Sequence, residues 1–196
     1  MLSSIHPLGE RTRNNRWALT AAGFVLGGVL GGLTTGLVLG APAELVGRSV
    51  DPAVRWAVLA GVAIAAVVLE LARRGRALPS WHRQVNEDWL GRYRGWVYGL
   101  GFGFQLGAGW LTYVTTPLVY VTAVAAVATG SLTGSMVVCG VFGLTRGVLI
   151  LAAARVRTPE ALRHLHHGLA RAAGPVRMLA GATAALTAGI ALGALW

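Results

Sequence analysis

Apolar residues run almost unbroken over long stretches of this chain, and polar residues gather between them. Residues 17–40 carry no charged side chain, and residues 53–72 carry only Arg55 and Glu70. Each stretch is long enough, at about 1.5 Å per residue, to cross a hydrocarbon core of about 30 Å. A short loop, 41–52, holds Glu44, Arg48 and Asp51. A polar segment, 73–94, separates these spans from an apolar tract, 95–154, which is broken clearly only at Gly130-Ser-Leu-Thr-Gly-Ser135. A second basic segment covers 155–177, and a last span runs over 178–196. The pattern predicts an all-α polytopic bundle forming a single membrane domain over 1–196.

The polar segments read as two basic interfacial helices. Trp81, Val85 and Trp89 recur every four residues in the first. In the second, Thr158-Pro159-Glu160 is a helix start, with Thr as cap and Pro at the first turn. Leu162, Leu165 and Leu169 then form one face, and Arg163, His164, His167 and Arg171 the other. Such faces suit the headgroup region, with Arg against anionic lipid. His164, His166 and His167 find no Cys or carboxylate to complete a metal set, and neither a metal nor a cofactor is expected.

Charge fixes an expected orientation. All seventeen basic residues are Arg. The N-terminus has Arg11, Arg13 and Arg16; the segment 73–94 has six Arg and 155–177 has five, against one in the loop 41–52. The positive-inside rule places the three rich segments in the cytoplasm, with a retained N-terminus. The tract 95–154 then crosses an even number of times, which gives five transmembrane helices, the third with a kink or re-entrant break near Pro117. Three crossings, with a full break at Thr115-Thr116-Pro117, would give six but leave five Arg outside, so five is the preferred count and six the alternative.

The chain is 55% hydrophobic and 12% charged, about half the charged fraction of an ordinary soluble domain. The net charge of +10 comes from Arg at span ends, so nucleic acid is not the expected partner. The Ala, Gly, Val and Leu bias with no Lys suggests a GC-rich bacterial genome, and the cytoplasmic membrane is the expected location. Cys139, the single cysteine, excludes an internal disulfide and is expected to pack as a small apolar residue.

Arg146 is the only charged residue in the tract 95–154. A charge at mid-span costs about 2.5–3.5 kcal/mol on insertion scales and usually faces a bundle interior. Gln105, Thr112, Thr115 and Thr116 put polar groups beside Pro117, whose ring frees a carbonyl one turn back. Together with Arg146 they form the expected substrate pocket, with Thr34 and Thr35 their counterpart in the other half. Glu70 reads as an i,i+4 partner of Arg74 or as a proton carrier.

Glycines recur every four residues: Gly23, Gly27 and Gly31; Gly28, Gly32, Gly36 and Gly40; Gly95, Gly99, Gly103 and Gly107; then Gly181, Ala185, Gly189 and Gly193. Such rows let helix backbones approach closely, within the bundle or at an interface with a second copy or another membrane protein. A weak internal repeat pairs 17–79 with 96–159. The Gly-rich span broken at Thr115-Thr116-Pro117, the repeat and the length resemble the lysine-exporter and cytochrome-c-biogenesis (CcdA-type) superfamily. That resemblance implies about six spans and a transport role, but Thr stands where the electron carriers need Cys. The expected function is transport or export of a small, possibly anionic solute. The alternative is a non-catalytic membrane subunit or scaffold packing against a larger complex. No catalytic set marks an enzyme.

Overall fold

The computed structural model describes residues 5–47, 49–72, 78, 88–112 and 114–196. Among them all regular structure is helical: α1 (Pro7–Thr12), α2 (Trp17–Gly47), α3 (Pro52–Ala72), α4 (Trp89–Arg92), α5 (Gly95–Ala108), α6 (Leu118–Ala128), α7 (Leu132–Val148) with a 3₁₀ extension Leu149–Ala153, and α8 (Pro159–Gly193). Four of these are long and apolar enough to cross a membrane: Trp17–Gly47, Pro52–Ala72, Leu132–Ala153 and Pro159–Gly193.

The boundaries follow local chemistry. His6 caps α1 through its Nδ1, which accepts from Gly9 N at 3.1 Å, and Pro7 supplies the first-turn φ. Ser131 caps α7, its Oγ accepting from Gly134 N at 3.3 Å. Thr158 caps α8, accepting from Ala161 N at 3.2 Å, as its sequence predicts. Gly109 ends α5 with φ 79°, and Gly130 turns α6 into α7 with φ 59°, both in the region that side chains other than Gly rarely adopt.

Two expectations change, and a third is narrowed. α2 continues through Pro42 to Gly47, so the loop 41–52 shrinks almost to its last few residues. The predicted separation between a basic interfacial helix and a last span is absent, because α8 runs unbroken through Pro175. Pro there removes one donor, but the neighbouring turn is exposed and can be solvated, so the helix persists. Of the kink or re-entrant break expected near Pro117, the chain takes the break: residues 109–112 and 114–117 are non-helical between α5 and α6. The interfacial reading of Trp81 and Val85 lies outside the described residues.

α2 is the central element, gripped by α5 and α7 through its two glycine rows. A Cβ on Gly23, Gly27 or Gly31 would lie 2.7, 2.1 or 2.1 Å from the carbonyl oxygens of Trp96, Leu100 and Phe104. Both residue numbers rise together, so α2 and α5 run parallel. On the other row, Gly28 faces Gly143, Gly32 faces Cys139 and Gly36 faces Met136, with numbers falling as α2 rises, so α7 is antiparallel. The beginnings of α2 and α5 and the close of α7 therefore share one end of the molecule. Leu8 N donates to Val156 O at 3.1 Å across that end. α3 packs on α6 and α8 around Leu59, Ala60, Ala63, Ala66, Ala184 and Ala188.

Candidate functional site

The break between α5 and α6 opens a cavity of about 250 Å³, bounded by α2, the break, α6 and α7. Its walls are apolar and aromatic, including Trp110, Val119, Tyr120, Cys139 and Phe142. Thr35 is its main polar element. Its Oγ1 donates to the Ala108 carbonyl at 3.1 Å, a group left over at the end of α5, and accepts from Trp110 Nε1 at 3.3 Å. Thr35, expected only as a distant counterpart, thus belongs to the break itself. Thr34 bonds back to Leu30 O at 2.8 Å.

The expected polar pocket does not assemble as the sequence suggests. Thr112 is buried and its Oγ1 has no partner among the described residues. Thr116 Oγ1 accepts from Leu118 N at 3.4 Å, a weak cap on α6, and Thr115 is exposed. Gln105 is half-buried on the last turn and a half of α5. Arg146 bonds to none of them. Its Cζ lies 5.3 Å from the ring centroid of Phe142, and its Nη1 is buried with no hydrogen-bond partner among the described residues. The reason is the register of α7. Gly143 and Gly147 close onto Gly28, which leaves Arg146 beside that contact face and folds it back over the residue four positions earlier. A guanidinium over an aromatic face gains a modest cation–π attraction.

Glu70 also finds an unexpected partner. Arg74 lies outside the described residues; the observed partner is Arg177 on α8, whose Nε donates to Glu70 Oε1 at 3.2 Å. Arg177 Nη2 reaches the Glu70 carbonyl at 3.4 Å. The pair clamps the end of α3 to the middle of α8 rather than lying along one helix.

The most completely buried polar cluster is one that sequence reasoning missed. Glu10, Thr20 and Tyr98 are all fully buried. Glu10 Oε2 accepts from Thr20 Oγ1 at 2.8 Å, while Tyr98 OH donates a short hydrogen bond to Oε1. Arg13 Nη1 pairs with the same Oε1 at 3.2 Å. Asn15 joins from the side, its Nδ2 donating to Tyr98 OH at 3.4 Å and its Oδ1 accepting from Gly95 N at 3.4 Å. Asn14, at φ 56°, makes the turn that brings α1 over the starts of α2 and α5. The signal was available: His6-Pro7 is a helix start, and Glu10 is the only acid before Glu44.

Chemically, these features bind and brace. Among the described residues no three His, Cys, Asp or Glu side chains are placed to hold a metal. The cavity could admit a small apolar group, and Arg146 is not among its lining residues.

Comparison with known proteins overturns the resemblance to the lysine-exporter and CcdA-type superfamily. No protein-family profile matches the chain, and no solved structure does. The curated proteins that match are named for a different role. Methylamine utilization protein MauF of Methylophilus methylotrophus is 32% identical over 150 residues, covering 74% of this chain and 52% of that protein. MauF of Paracoccus denitrificans is 38% identical over 88 residues, 45% of this chain and 31% of its own length. MauF of Paracoccus versutus is 38% identical over 68 residues, 35% and 25% of the two chains. The chain spans about half the length, or less, of the curated relatives it matches. Over most of its own length, this chain is similar to part of the methylamine utilization protein MauF.

Proposed function

We propose that this chain is a non-catalytic integral membrane protein that serves methylamine utilization by holding a partner protein at the cytoplasmic membrane. The observation that carries the reading is the similarity to MauF over 150 residues. The architecture is compatible with it: helices are joined by glycine contacts and by buried polar clamps, and the polar groups near the break do not converge on a substrate position. Solute transport, which rested on Arg146 as an anion site, has no support from the relatives' names or from the surroundings of that side chain.

Five crossings fit this reading. α5 and α6, at 14 and 11 residues, are about 21 and 16 Å long, too short singly and sufficient together for a hydrocarbon core of about 30 Å. α5 leaves the end where α2 begins, and Gly130, at the close of α6, meets Gly47 at the end of α2. The pair therefore advances in one direction as a single broken crossing. Exposed Arg11, Arg13, Arg16, Arg94, Arg155 and Arg157 lie at the end where α2 begins. That end is cytoplasmic by the positive-inside rule, with the first half of α8 set to meet anionic headgroups.

The test is genetic. Deletion of the gene in its host should abolish or slow growth with methylamine as sole nitrogen or carbon source, with normal growth on other sources. The intact gene supplied on a plasmid should restore it. Undiminished growth of the deletion strain on methylamine would overturn the proposal.

A further inference from the structure

An apolar cavity and a single thiol meet behind one indole ring. The cavity of about 250 Å³ at the α5–α6 break has Val38, Val119, Tyr120, Phe142 and Cys139 among its walls. Cys139 is 2% exposed, and it is the only cysteine in the chain. Trp110 lines the same cavity and yet is 50% exposed, so its ring stands at the rim, with one side in and one side out.

A closed circuit of hydrogen bonds holds the ring. Gly109, at φ 79°, turns the chain off α5 immediately before Trp110. Trp110 N donates to Ala108 O at 3.0 Å, and Thr35 Oγ1 donates to the same carbonyl at 3.1 Å. Trp110 Nε1 then donates to Thr35 Oγ1 at 3.3 Å, which ties the indole to α2. That bond is the longest of the three, and one neutral hydrogen bond is a weak fastening. Residues 110–112 and 114–117 are non-helical, so no helical ladder holds the ring in place. The other walls are locked. A Cβ on Gly107 would lie 2.0 Å from Gly28 O, and one on Gly32 would lie 2.2 Å from Cys139 O, so α2, α5 and α7 cannot part without losing their packing.

We propose that Trp110 is a gate on this cavity, latched by Thr35, and that small, uncharged, apolar molecules enter from the bilayer when the latch opens. Swinging the indole outward breaks one side-chain hydrogen bond, whereas moving any of the packed helices breaks many contacts at once. The walls select the guest. A charged or strongly polar molecule would be buried there without hydrogen bonds, which is costly. Cavities lined by apolar side chains stay dry and accept apolar guests. The gate rests on the membrane reading above, but not on the link to methylamine.

The experiment uses the full chain in lipid vesicles, with Cys139 as the reporter. Flotation of the protein with the vesicles is checked first, so failure of the membrane reading and failure of the gate are told apart. The probe is methyl methanethiolsulfonate, which is small and uncharged, and a positively charged methanethiolsulfonate is the comparison. In the wild type, Cys139 should react slowly with the uncharged reagent and not with the charged one. Thr35→Val removes the latch hydroxyl at nearly constant shape and should speed the reaction about fivefold, or about 1 kcal/mol. Trp110→Phe keeps a ring without the N–H and should do the same, and combining the two should add little. Trp110→Ala removes the cover and should give the largest rise. Thr34→Val is the control, since Thr34 is exposed and bonded back to Leu30 of its own helix, and it should react like the wild type. Unchanged rates in Thr35→Val or in Trp110→Ala would overturn the proposal. An equal rise in Thr34→Val would also overturn it, because α2 would then be loosened as a whole. Equal labelling by the charged reagent would do so too, because the thiol would then be reached through water.

Discussion

Glu10 and Arg146 are two charged residues held away from solvent, and they are accommodated in opposite ways. Glu10 is fully buried with hydrogen bonds from Thr20 and Tyr98 and a pairing with Arg13, so its carboxylate is compensated on both oxygens. Tyr98→Phe removes one donor to a charged acceptor, and a hydrogen bond to a charged group is worth about 1.5–3 kcal/mol. We expect destabilisation of that size in detergent unfolding, and a Glu10→Gln, Tyr98→Phe double-mutant cycle should show coupling. Additive effects would mean that the contact carries little. Among the described residues, Arg146 has only the Phe142 face, and its buried Nη1 is unpaired. Arg146→Leu should therefore leave folding stability unchanged or raised, and should still restore growth on methylamine. Loss of growth from a well-folded variant would return Arg146 to a functional role. The sequence made Arg146 conspicuous because its neighbours are apolar. Glu10 was hidden because its neighbours are Arg, and only the turn at Asn14 carries it inward.

At the scale of elements, four-residue glycine spacing was legible in the sequence, and its partners were not. Spacing marks a face, while the partner depends on how helices distant in the chain come together. Gly103 shows the consequence: a Cβ there would lie 2.0 Å from the Phe24 carbonyl oxygen, and neither backbone can give way without parting α2 from α5. Gly103→Leu should abolish the folded, monodisperse species in size-exclusion chromatography. Gly61→Leu is the matched control, since nothing lies within 4 Å of Gly61 and Leu is the better helix former. If Gly103→Leu elutes like the wild type, the α2–α5 contact is not the joint described. The break before α6 was also read in part. Pro117 announced it, but the opening starts at Gly109, whose positive φ ends α5 well before the proline. A glycine among so many others carries no special mark in a sequence.

Over the whole molecule, the distribution of Arg and the register of α2 with α5 and α7 agree on one polarity. Charge counting alone left five and six crossings open, because apolar length does not say whether a break turns the chain back. The glycine register bears on the question: α5 starts beside α2's first turns, and α6 finishes near α2's last. A returning chain would instead bring Gly130 back beside Thr20. With Cys139→Ala as background, single cysteines at Asn14, Ser49 and Gly168 place the test on exposed, described positions. A membrane-impermeant maleimide added to sealed, right-side-out cells should label Ser49→Cys and leave Asn14→Cys and Gly168→Cys unlabelled until the membrane is opened. Labelling of Gly168→Cys from outside would place the start of α8 opposite the N-terminus. It would require an even number of crossings up to that point to become odd, and the single broken crossing by α5 and α6 would be lost.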